Sequence, residues 1–257
     1  MSKALVIFSG GQDSTTCLYW AKKHFDEVHL ITFDYGQRHI AEIEAAVKIS
    51  ELAQPASLEI VHMPQILVST SPLTSDTELD KYKNNAEMEA KVGDKIEKTF
   101  VPMRNMLFFT IAMNRAVALG CNNLITGICG EDNANYPDCT ASFRALFERT
   151  ANESLGEFAN YHIHAPLMTN SKADTVRMAW GMPECWKALA YSHTSYDGKY
   201  PPTDNNHSNI LRAQGFLEAG LPDPLVVRAV CEGVMERPTT PNYKDIAFDM
   251  TKKIIYG

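Results

Sequence analysis

The stretch KALVIFSGGQDS, residues 3–14, decides the fold that we expect for this chain. Its first six residues are almost continuously apolar, which is typical of a strand buried on both faces of a parallel sheet. A Ser-Gly-Gly turn at residues 9–11 ends this strand, and Asp13 and Ser14 are good N-cap residues for a helix that follows. The stretch therefore predicts a strand, a tight turn and a helix, in that order.

The alternation of strand and helix continues beyond this stretch. Apolar runs predict further strands at residues 27–33, 57–62 and 122–128. Residues 40–52 and 105–119 predict helices, the second of which is closed by Gly120 at its C′ position. Strands that alternate with helices predict an α/β fold with a doubly wound parallel sheet, in which ligands bind beyond the carboxyl ends of the strands.

The last third of the chain lacks the alternation of strand and helix. Residues 171–180 and 209–234 predict short helices, and a polar, loop-like stretch separates them. We therefore expect an α/β nucleotide-binding domain over residues 1–165 and a smaller helical region, packed on it, over residues 166–257. Residues 75–98 also depart from the pattern, because half of them are charged. A plain surface excursion is the favoured interpretation of that segment, with a solvated helix or a flap as alternatives.

Composition and charge restrict the class of protein. Hydrophobic residues make up 45% of the 257 residues and charged ones 21%, which is ordinary for a packed protein and disfavours disorder. No run approaches the roughly 18 apolar residues of a membrane helix, and glycine comes too early for a signal peptide. The formal net charge of −7 disfavours a protein that coats nucleic acid, because such binding needs a basic surface. A cytoplasmic enzyme that acts on a small ligand is the expectation.

The turn SGGQDS at residues 9–14 has the chemistry of an anion site. Two glycines let the backbone approach a ligand closely, and the N–H groups at the start of the helix point towards it. The hydroxyls of Ser9 and Ser14 add donors, so the turn suits pyrophosphate. It lacks the lysine of a Walker A loop and the spacing of G-x-G-x-x-G, so neither of those nucleotide sites is indicated. Taken alone, the turn also fits a glycine-rich connection that Ser or Asp caps.

The pattern S-G-G-x-D-S after a first strand resembles the PP-loop of the ATP pyrophosphatases, which split ATP into AMP and pyrophosphate while they adenylate a substrate. Further stretches narrow the resemblance to the QueC family, the 7-cyano-7-deazaguanine (preQ0) synthases. They are FDYGQRH (33–39), FVPMRN (100–105), TGIC (126–129), YPDC (136–139) and PLMTNSK (166–172). The resemblance implies the adenine nucleotide alpha hydrolase-like fold of the PP-loop proteins.

QueC-like enzymes use ATP to activate the carboxylate of 7-carboxy-7-deazaguanine as an acyl-adenylate, which ammonia converts to the amide. A second activation then dehydrates the amide to the nitrile. A carboxylate is a poor electrophile until one of its oxygens becomes part of a leaving group, and AMP is such a group. Catalysis is then mostly positioning and charge neutralisation. The resemblance therefore implies an ATP-dependent C–N ligase that uses Mg²⁺.

The resemblance also implies roles for particular residues. ATP phosphates would lie against Ser9, Gly10, Gly11, Gln12, Asp13 and Ser14. Asp13 would reach Mg²⁺, while Lys172 and Arg104 would offset the charge that builds on the α-phosphate and the departing pyrophosphate. Arg38 would hold a phosphate or the substrate carboxylate. Asp138 would accept two hydrogen bonds from the guanidine-like edge of the deazaguanine, and Tyr136 would stack on its ring.

The C-terminal part departs from the family. Four zinc cysteines of the family correspond to Ser195, Thr203, Asn206 and Asn209 in this chain. Because Ser, Thr and Asn cannot build a thiolate site, no zinc site is expected. His193, Asp204 and His207 lie nearby in the sequence. Isolated surface polar residues are the favoured interpretation for them, with metal ligands as the alternative.

Two further differences flank the expected substrate loop. Gly130 stands where the family has an acidic residue, with Glu131 as a replacement one position along, and Thr140 stands where the family has an arginine. Both differences put the later steps, attack on the adenylate and formation of the nitrile, in question more than the activation of the carboxylate. The residues expected to serve activation, namely the phosphate loop, Arg104 and Lys172, are present.

Three functions are open at this point. The first is a zinc-less preQ0 synthase-like enzyme with ammonia as the nucleophile. The second is a QueC-like ligase of an antiviral defence cluster such as type IV CBASS, which would pass the deazaguanine to an amine of a partner protein. The third, a non-catalytic nucleotide-binding module, is disfavoured because the loop and both cations are intact. Dimers are common in the family, so a homodimer is the alternative to a monomer.

Overall fold

The structure, a computed structural model, describes residues 1–36, 41–75, 77–93, 95–130, 135–194, 198–203 and 205–257. Within them lies one parallel sheet, with strands Lys3–Ile7 (β1), Glu27–Asp34 (β2), Ser57–His62 (β3), Asn123–Ile125 (β4) and His162–His164 (β5). The strand order is β3-β2-β1-β4-β5, and every neighbouring pair is parallel. The chain winds outward from β1 in both directions, which confirms the doubly wound α/β fold.

Ten α-helices accompany the sheet in the described parts of the chain. They are Gln12–His24 (α1), Ala41–Ala53 (α2), Asn85–Val92 (α3), Arg104–Leu119 (α4), Ala141–Leu155 (α5), Lys172–Trp180 (α6), Pro183–Leu189 (α7), His207–Ala219 (α8), Pro224–Cys231 (α9) and Asp245–Tyr256 (α10). None of these described helices is long and apolar enough to cross a membrane.

Each face of the sheet buries its own cluster of side chains, because successive residues of a strand point to opposite faces. Val6 of β1 packs with Leu18 of α1 and Trp186 of α7 on one face. Leu5 packs on the other face with Phe109 of α4. Both faces of β1 are covered, which is why its sequence is a continuous apolar run. Since Trp186 comes from the C-terminal helices, the two predicted domains share this core, and the boundary at residue 165 stays a prediction.

Some element ends differ from the predictions. The N-cap of α1 is Gly11, without a side-chain cap hydrogen bond, so the prediction of Asp13 or Ser14 as the cap is wrong. The Ser14 hydroxyl instead donates to the Gly11 carbonyl (3.2 Å) inside the turn. β4 is shorter than the predicted strand at 122–128: Thr126 still donates its N–H to the His164 carbonyl (2.9 Å), and residues 126–128 line a cavity. The sequence patterns did not predict β5, α5, α7 or α10.

The charged segment at residues 75–98 is not the plain surface excursion that the sequence pattern favours, because its described residues include a helix whose residues, apart from Met88, are exposed or half-buried, as the alternative of a solvated helix predicts. The segment contains α3, which packs on α8. Tyr82 and Met88 are buried, and the Tyr82 N–H donates to the Asn205 carbonyl (2.9 Å). The segment therefore forms part of the packing around the C-terminal helices.

Candidate active site

A cavity of about 340 Å³ lies beyond the carboxyl ends of β1, β2 and β4. Its volume falls in the range of roughly 300–1,000 Å³ that small-ligand sites occupy. Ser9 and residues 11–14 line it after β1, Tyr35 after β2, and Thr126 and Gly127 after β4. The chain winds in opposite directions from β1 and β4. The cavity therefore lies at the topological switch point, where open α/β sheets bind their ligands.

The loop at residues 9–14, called the 9–14 loop below, is folded tightly on itself. The Ser9 N–H donates to the Ser14 hydroxyl (3.2 Å), and the Gly11 N–H donates to the Ser9 hydroxyl (3.3 Å). Gly10 has a φ of +77°, and a Cβ there would lie 2.6 Å from the backbone nitrogen of Ala46 in α2. Because no side chain fits at that distance, glycine at this position lets the loop rest directly on α2.

Two further contacts hold the 9–14 loop. Gly127, after β4, approaches so closely that a Cβ on it would lie 3.0 Å from the Ser14 backbone nitrogen. On the side of the C-terminal helices, the His193 N–H donates to the Gly10 carbonyl (3.0 Å). The backbone of the loop is thus fixed against α2, the sheet and the C-terminal helices at once.

Four helices begin at the cavity. The first residues of α1, α4, α6 and α8 all line it: Gln12, Arg104, Lys172 and His207. A helix N-terminus carries a partial positive charge and N–H groups without intrahelical partners. Side chains cap α6 and α8, whereas α1 and α4 have no side-chain cap hydrogen bond. The cavity is therefore suited to anions although the chain carries a net charge of −7.

Lys172 and Asp13 form an ion pair at the cavity wall. The Lys172 Nζ lies 2.8 Å from Asp13 Oδ2 and 3.1 Å from Cys129 Sγ, and Lys172 is only 8% exposed. The other Asp13 oxygen, Oδ1, and the Gln12 Nε2 are buried without a hydrogen-bond partner among the described residues. A buried polar atom in that condition costs about 1–3 kcal/mol. These two atoms are therefore available to a ligand or an ion.

Arg104 begins α4 directly after a strained residue. Met103 has a φ of +64°, a left-handed conformation that costs a residue with a Cβ about 1–2 kcal/mol. Burial raises the pKa of both Glu42 and Asp138, and the positive charge of Arg104 opposes the shift of each. Arg104 thus lies near two carboxylates while it lines the cavity, and the strained turn sets its position.

Tyr136 and Asp138 lie beside the start of α4. Tyr136 lines the cavity, and its hydroxyl oxygen lies 2.6 Å from that of Thr99. Asp138 Oδ2 accepts a hydrogen bond from the Asn105 N–H (3.3 Å), and the Asn105 side-chain amide donates to the Asp138 carbonyl (3.2 Å). Within the described cavity wall, Asn105 and Cys139 are present and Asp138 is not. Tyr136 therefore lies at the cavity, whereas Asp138 lies behind it, in contact with the cavity-lining residue Asn105.

Most of the predicted site residues meet at this cavity. Those that line it are Ser9, Gly11, Gln12, Asp13, Ser14, Arg104, Tyr136 and Lys172. Arg38 lies outside the described residues. Glu42, Cys129 and Arg212 were missed by the sequence predictions, although Cys129 belongs to the TGIC stretch. Glu42 and Arg212 carry no local signal, because only tertiary packing brings them to the cavity.

Comparison with known proteins decides the family. The family model described as "Queuosine biosynthesis protein QueC" matches residues 3–220. The chain belongs to the QueC family. A 7-cyano-7-deazaguanine synthase of Gloeobacter violaceus is 43% identical over 228 residues, which cover 88% of this chain and 96% of the relative. A 7-cyano-7-deazaguanine synthase of Chromobacterium violaceum is 41% identical over 232 residues, which cover 90% and 95%.

Solved structures similar to this QueC-family chain are more distant. One is described as a predicted subunit of a tRNA methyltransferase from Methanocaldococcus jannaschii, with a TM-score of 0.46 and 16% identity over 80% of this chain and 95% of that one. Another is a 4-thiouridine synthetase–RNA complex with bound ATP, with a TM-score of 0.43 and 17% identity over 80% and 44% of the two chains.

The residues at the QueC zinc positions do not fit zinc. Asn206 is the N-cap of α8, and its side-chain oxygen accepts a hydrogen bond from the Asn209 N–H (3.0 Å). Thr203 offers no thiolate or imidazole, and Ser195 lies outside the described residues. In the parts of the chain that the structure describes, no three His, Cys, Asp or Glu side chains come together as a metal site. The expectation of a zinc-free protein stays a prediction.

The two histidines near these positions are not surface residues, so that interpretation is wrong for them. His207 is buried, His193 is half-buried, and both line the cavity. His207 at the start of α8 and His193 in the chain before it form part of the cavity wall. The sequence alone does not reveal this position. Asp204 lies outside the described residues.

The residues at which this chain differs from the QueC pattern beside TGIC and YPDC have structural roles. Gly130 is closely packed, because a Cβ on it would lie 3.0 Å from the Met168 carbonyl oxygen. Thr140 caps α5, since its hydroxyl accepts a hydrogen bond from the Phe143 N–H (3.1 Å). Glu131 lies outside the described residues.

Proposed function

We propose that this chain acts as a 7-cyano-7-deazaguanine synthase, which adenylates the carboxylate of 7-carboxy-7-deazaguanine with ATP and transfers the acyl group to ammonia. One observation carries the proposal. The 9–14 loop, Lys172 and Arg104 converge on a single cavity at the start of four helices. The names of the relatives at 41–43% identity support the same substrate and product.

The nucleotide would bind with its phosphates at the 9–14 loop. The uncapped start of α1 supplies N–H groups, and Lys172 and Arg104 supply positive charge where pyrophosphate departs. Asp13 Oδ1 fits a hard cation, because it is a buried carboxylate oxygen without a hydrogen-bond partner among the described residues. Mg²⁺ bound there would neutralise phosphate charge. Lys172, on the other Asp13 oxygen, fixes the orientation of that carboxylate.

The deazaguanine would lie on the Tyr136 side of the cavity. The aromatic ring of Tyr136 offers a stacking surface, and Asp138 offers a carboxylate that suits the N–H and NH₂ edge of the base. Asn105, which lines the cavity and donates its N–H to Asp138, would have to shift for the carboxylate to reach that edge. Arg38 remains a proposed partner of a phosphate or of the substrate carboxylate.

The reaction balances with these components. A carboxylate oxygen attacks the α-phosphorus, pyrophosphate leaves, and the acyl-adenylate forms. Ammonia attacks the acyl carbon, AMP leaves with the electron pair of the broken C–O bond, and the amide forms after loss of a proton. The amide oxygen then attacks a second ATP in the same way. Loss of AMP and two protons gives the nitrile, so the chain's residues need only position and neutralise charge.

A second candidate differs only in the nucleophile. Thr140 caps α5 at the position where the QueC family has an arginine, so the part of the loop that serves the second half of the reaction has changed. This change is compatible with transfer of the activated deazaguanine to an amine of a partner protein.

One experiment separates these candidates. The protein is mixed with ATP, Mg²⁺ and 7-carboxy-7-deazaguanine, with and without ammonium, and AMP and the product mass are measured. AMP together with the nitrile, dependent on ammonium, supports the synthase. AMP together with a mass increase of an added partner protein supports the ligase. If no AMP forms under any condition, both proposals are refuted.

A further inference from the structure

We propose that Arg212 of α8 is a positioning residue, which fixes the 9–14 loop through residues 189–194 instead of binding a ligand itself. Arg212 lines the cavity and is only 3% exposed, so its position alone suggests a phosphate ligand. Its hydrogen bonds indicate a different role. Only the ATP-binding part of the test below rests on the proposed function.

All the donors of this guanidinium are used within the protein. An arginine side chain has five N–H groups. Nε and Nη2 donate to the two carboxylate oxygens of Asp223 (2.6 and 2.8 Å), and Nη2 also donates to the Leu189 carbonyl (3.4 Å). Nη1 donates to the hydroxyls of Ser192 (2.9 Å) and Thr194 (2.7 Å). No N–H group is left for a phosphate, so Arg212 acts on the cavity through the residues that it holds.

Those residues lead directly to the 9–14 loop. Ser192 and Thr194 flank His193, whose N–H donates to the Gly10 carbonyl (3.0 Å). Gly10 is also the residue that rests on the α2 backbone with a positive φ. The loop is therefore held between α2 on one side and His193 on the other, and Arg212 sets the place of His193.

Asp223 prevents Arg212 from turning towards a ligand. It is buried, and its side chain caps α9 by accepting a hydrogen bond from the Leu225 N–H (2.9 Å). Its own N–H donates to the Tyr243 hydroxyl (3.3 Å). A buried charge that loses its partner is strongly destabilising, so the bidentate pair stays closed while ligands come and go.

The arrangement also accounts for how the described residues near the QueC zinc positions are held, although none of those positions carries a thiolate. Asn206 caps the start of α8, and the ion pair between Arg212 and Asp223 anchors the same helix one to two turns further along. The cavity wall formed by α8 therefore depends on hydrogen bonds and one buried ion pair among the described residues.

Two variants of the full chain test the proposal. Arg212→Lys keeps the charge but has three donors instead of five. The double variant Ser192→Ala/Thr194→Val keeps the Arg212–Asp223 pair and removes only the two hydroxyls that connect it to His193. Arg115→Lys is the control, because the Arg115 Nε of α4 donates to both carboxylate oxygens of Glu59 in β3 (2.9 and 3.2 Å), an arginine–carboxylate pair outside the C-terminal helices.

The first measurement is amide hydrogen exchange of residues 9–14 and 189–194 in the protein without nucleotide. We expect exchange in both segments to rise about tenfold in both test variants and to stay unchanged in the control. The second measurement is the Kd of ATP with Mg²⁺, which should rise about tenfold in the test variants only. Thermal unfolding identifies any variant that does not fold. The double variant should fold even if Arg212→Lys does not, because it keeps the buried Arg212–Asp223 pair.

Wild-type exchange at residues 9–14 in the folded double variant would overturn the proposal. An equal increase in the control would do the same, because it would reflect general loosening of the protein. If the wild-type protein binds no ATP, the proposed function fails, but the exchange measurement still decides the role of Arg212.

Discussion

The Lys172 ammonium lies 2.8 Å from the Asp13 carboxylate, although 159 positions of the chain separate the two residues. Each stands in the first turn of its helix, α6 or α1, and both helices begin at the same edge of the sheet. Such contacts are common around a parallel sheet, because the helices that follow its strands all begin at the same edge. The pair joins the 9–14 loop to a cation from the last third of the chain.

Removal of either charge of this pair should stop adenylation. We expect Lys172→Ala and Asp13→Ala to lower the rate of AMP formation by about 10²–10³-fold, because each loses charge or orientation at the phosphates. Lys252→Ala, an exposed lysine of α10, is the matched control and should react normally. AMP formation is measured at saturating ATP, with thermal unfolding to check the fold. Near-normal rates in both folded variants would refute the assigned roles.

A methyl group on Gly215 should disturb Lys172. A Cβ at Gly215 would lie 2.8 Å from the Lys172 Cβ, so Gly215→Ala forces α6 and α8 apart. Overpacking of this kind costs roughly 1–3 kcal/mol of unfolding free energy, and a displaced cation should lower kcat by as much as about 10²-fold. Thermal unfolding and AMP formation report the two effects.

The control for that change is Gly181→Ala at the other end of α6. Its nearest neighbour would be 3.5 Å away, which is ordinary contact, so stability and kcat should stay near wild type. Equal effects of the two substitutions would show that the close crossing at Lys172 is unimportant.

Binding of the deazaguanine should weaken in acid at a pH above the ordinary pKa of an aspartate. Burial raises the pKa of Asp138 from 3.8, and Arg104 opposes this only in part. The two Asp138 oxygens both accept hydrogen bonds from the base only when the carboxyl group is ionised, so the KM for 7-carboxy-7-deazaguanine should rise as pH falls through this raised pKa. Asp138→Asn, which resembles the protonated acid, should raise the KM at neutral pH and remove this acid limb, whereas the exposed Asp249→Asn on α10 should leave the profile unchanged. An acid limb that persists in Asp138→Asn would contradict the assignment.

The purified protein should contain no structural zinc. Asn206 is engaged as a helix cap, and none of the QueC zinc positions carries a thiolate. We expect well below about 0.1 zinc per chain by elemental analysis, and no change of Tm with a strong chelator. About one zinc per chain, with a lower Tm after chelation, would show that other residues of this chain build the site.

The fold was predictable where local patterns are strong. The apolar runs of β1, β2 and β3 and the glycine turn at residues 9–11 identify the parallel sheet and its anion loop. β4 was predicted from its apolar run, although too long at its end, whereas β5 has only three residues, too few for a distinct pattern, and went unpredicted. The wall contributed by Glu42, His207 and Arg212 was unpredictable, because these residues reach the cavity only through the packing of α2 and α8 on the sheet.

The most direct test of the account follows the oxygen atoms of the substrate. 7-Carboxy-7-deazaguanine with ¹⁸O in its carboxylate is converted by the protein with ATP, Mg²⁺ and ammonium, and the AMP is analysed by mass spectrometry. If the carboxylate attacks the α-phosphorus, the AMP carries ¹⁸O, because the acyl C–O bond is the one that ammonia breaks. Unlabelled AMP, or ADP and phosphate in its place, would contradict the adenylation mechanism.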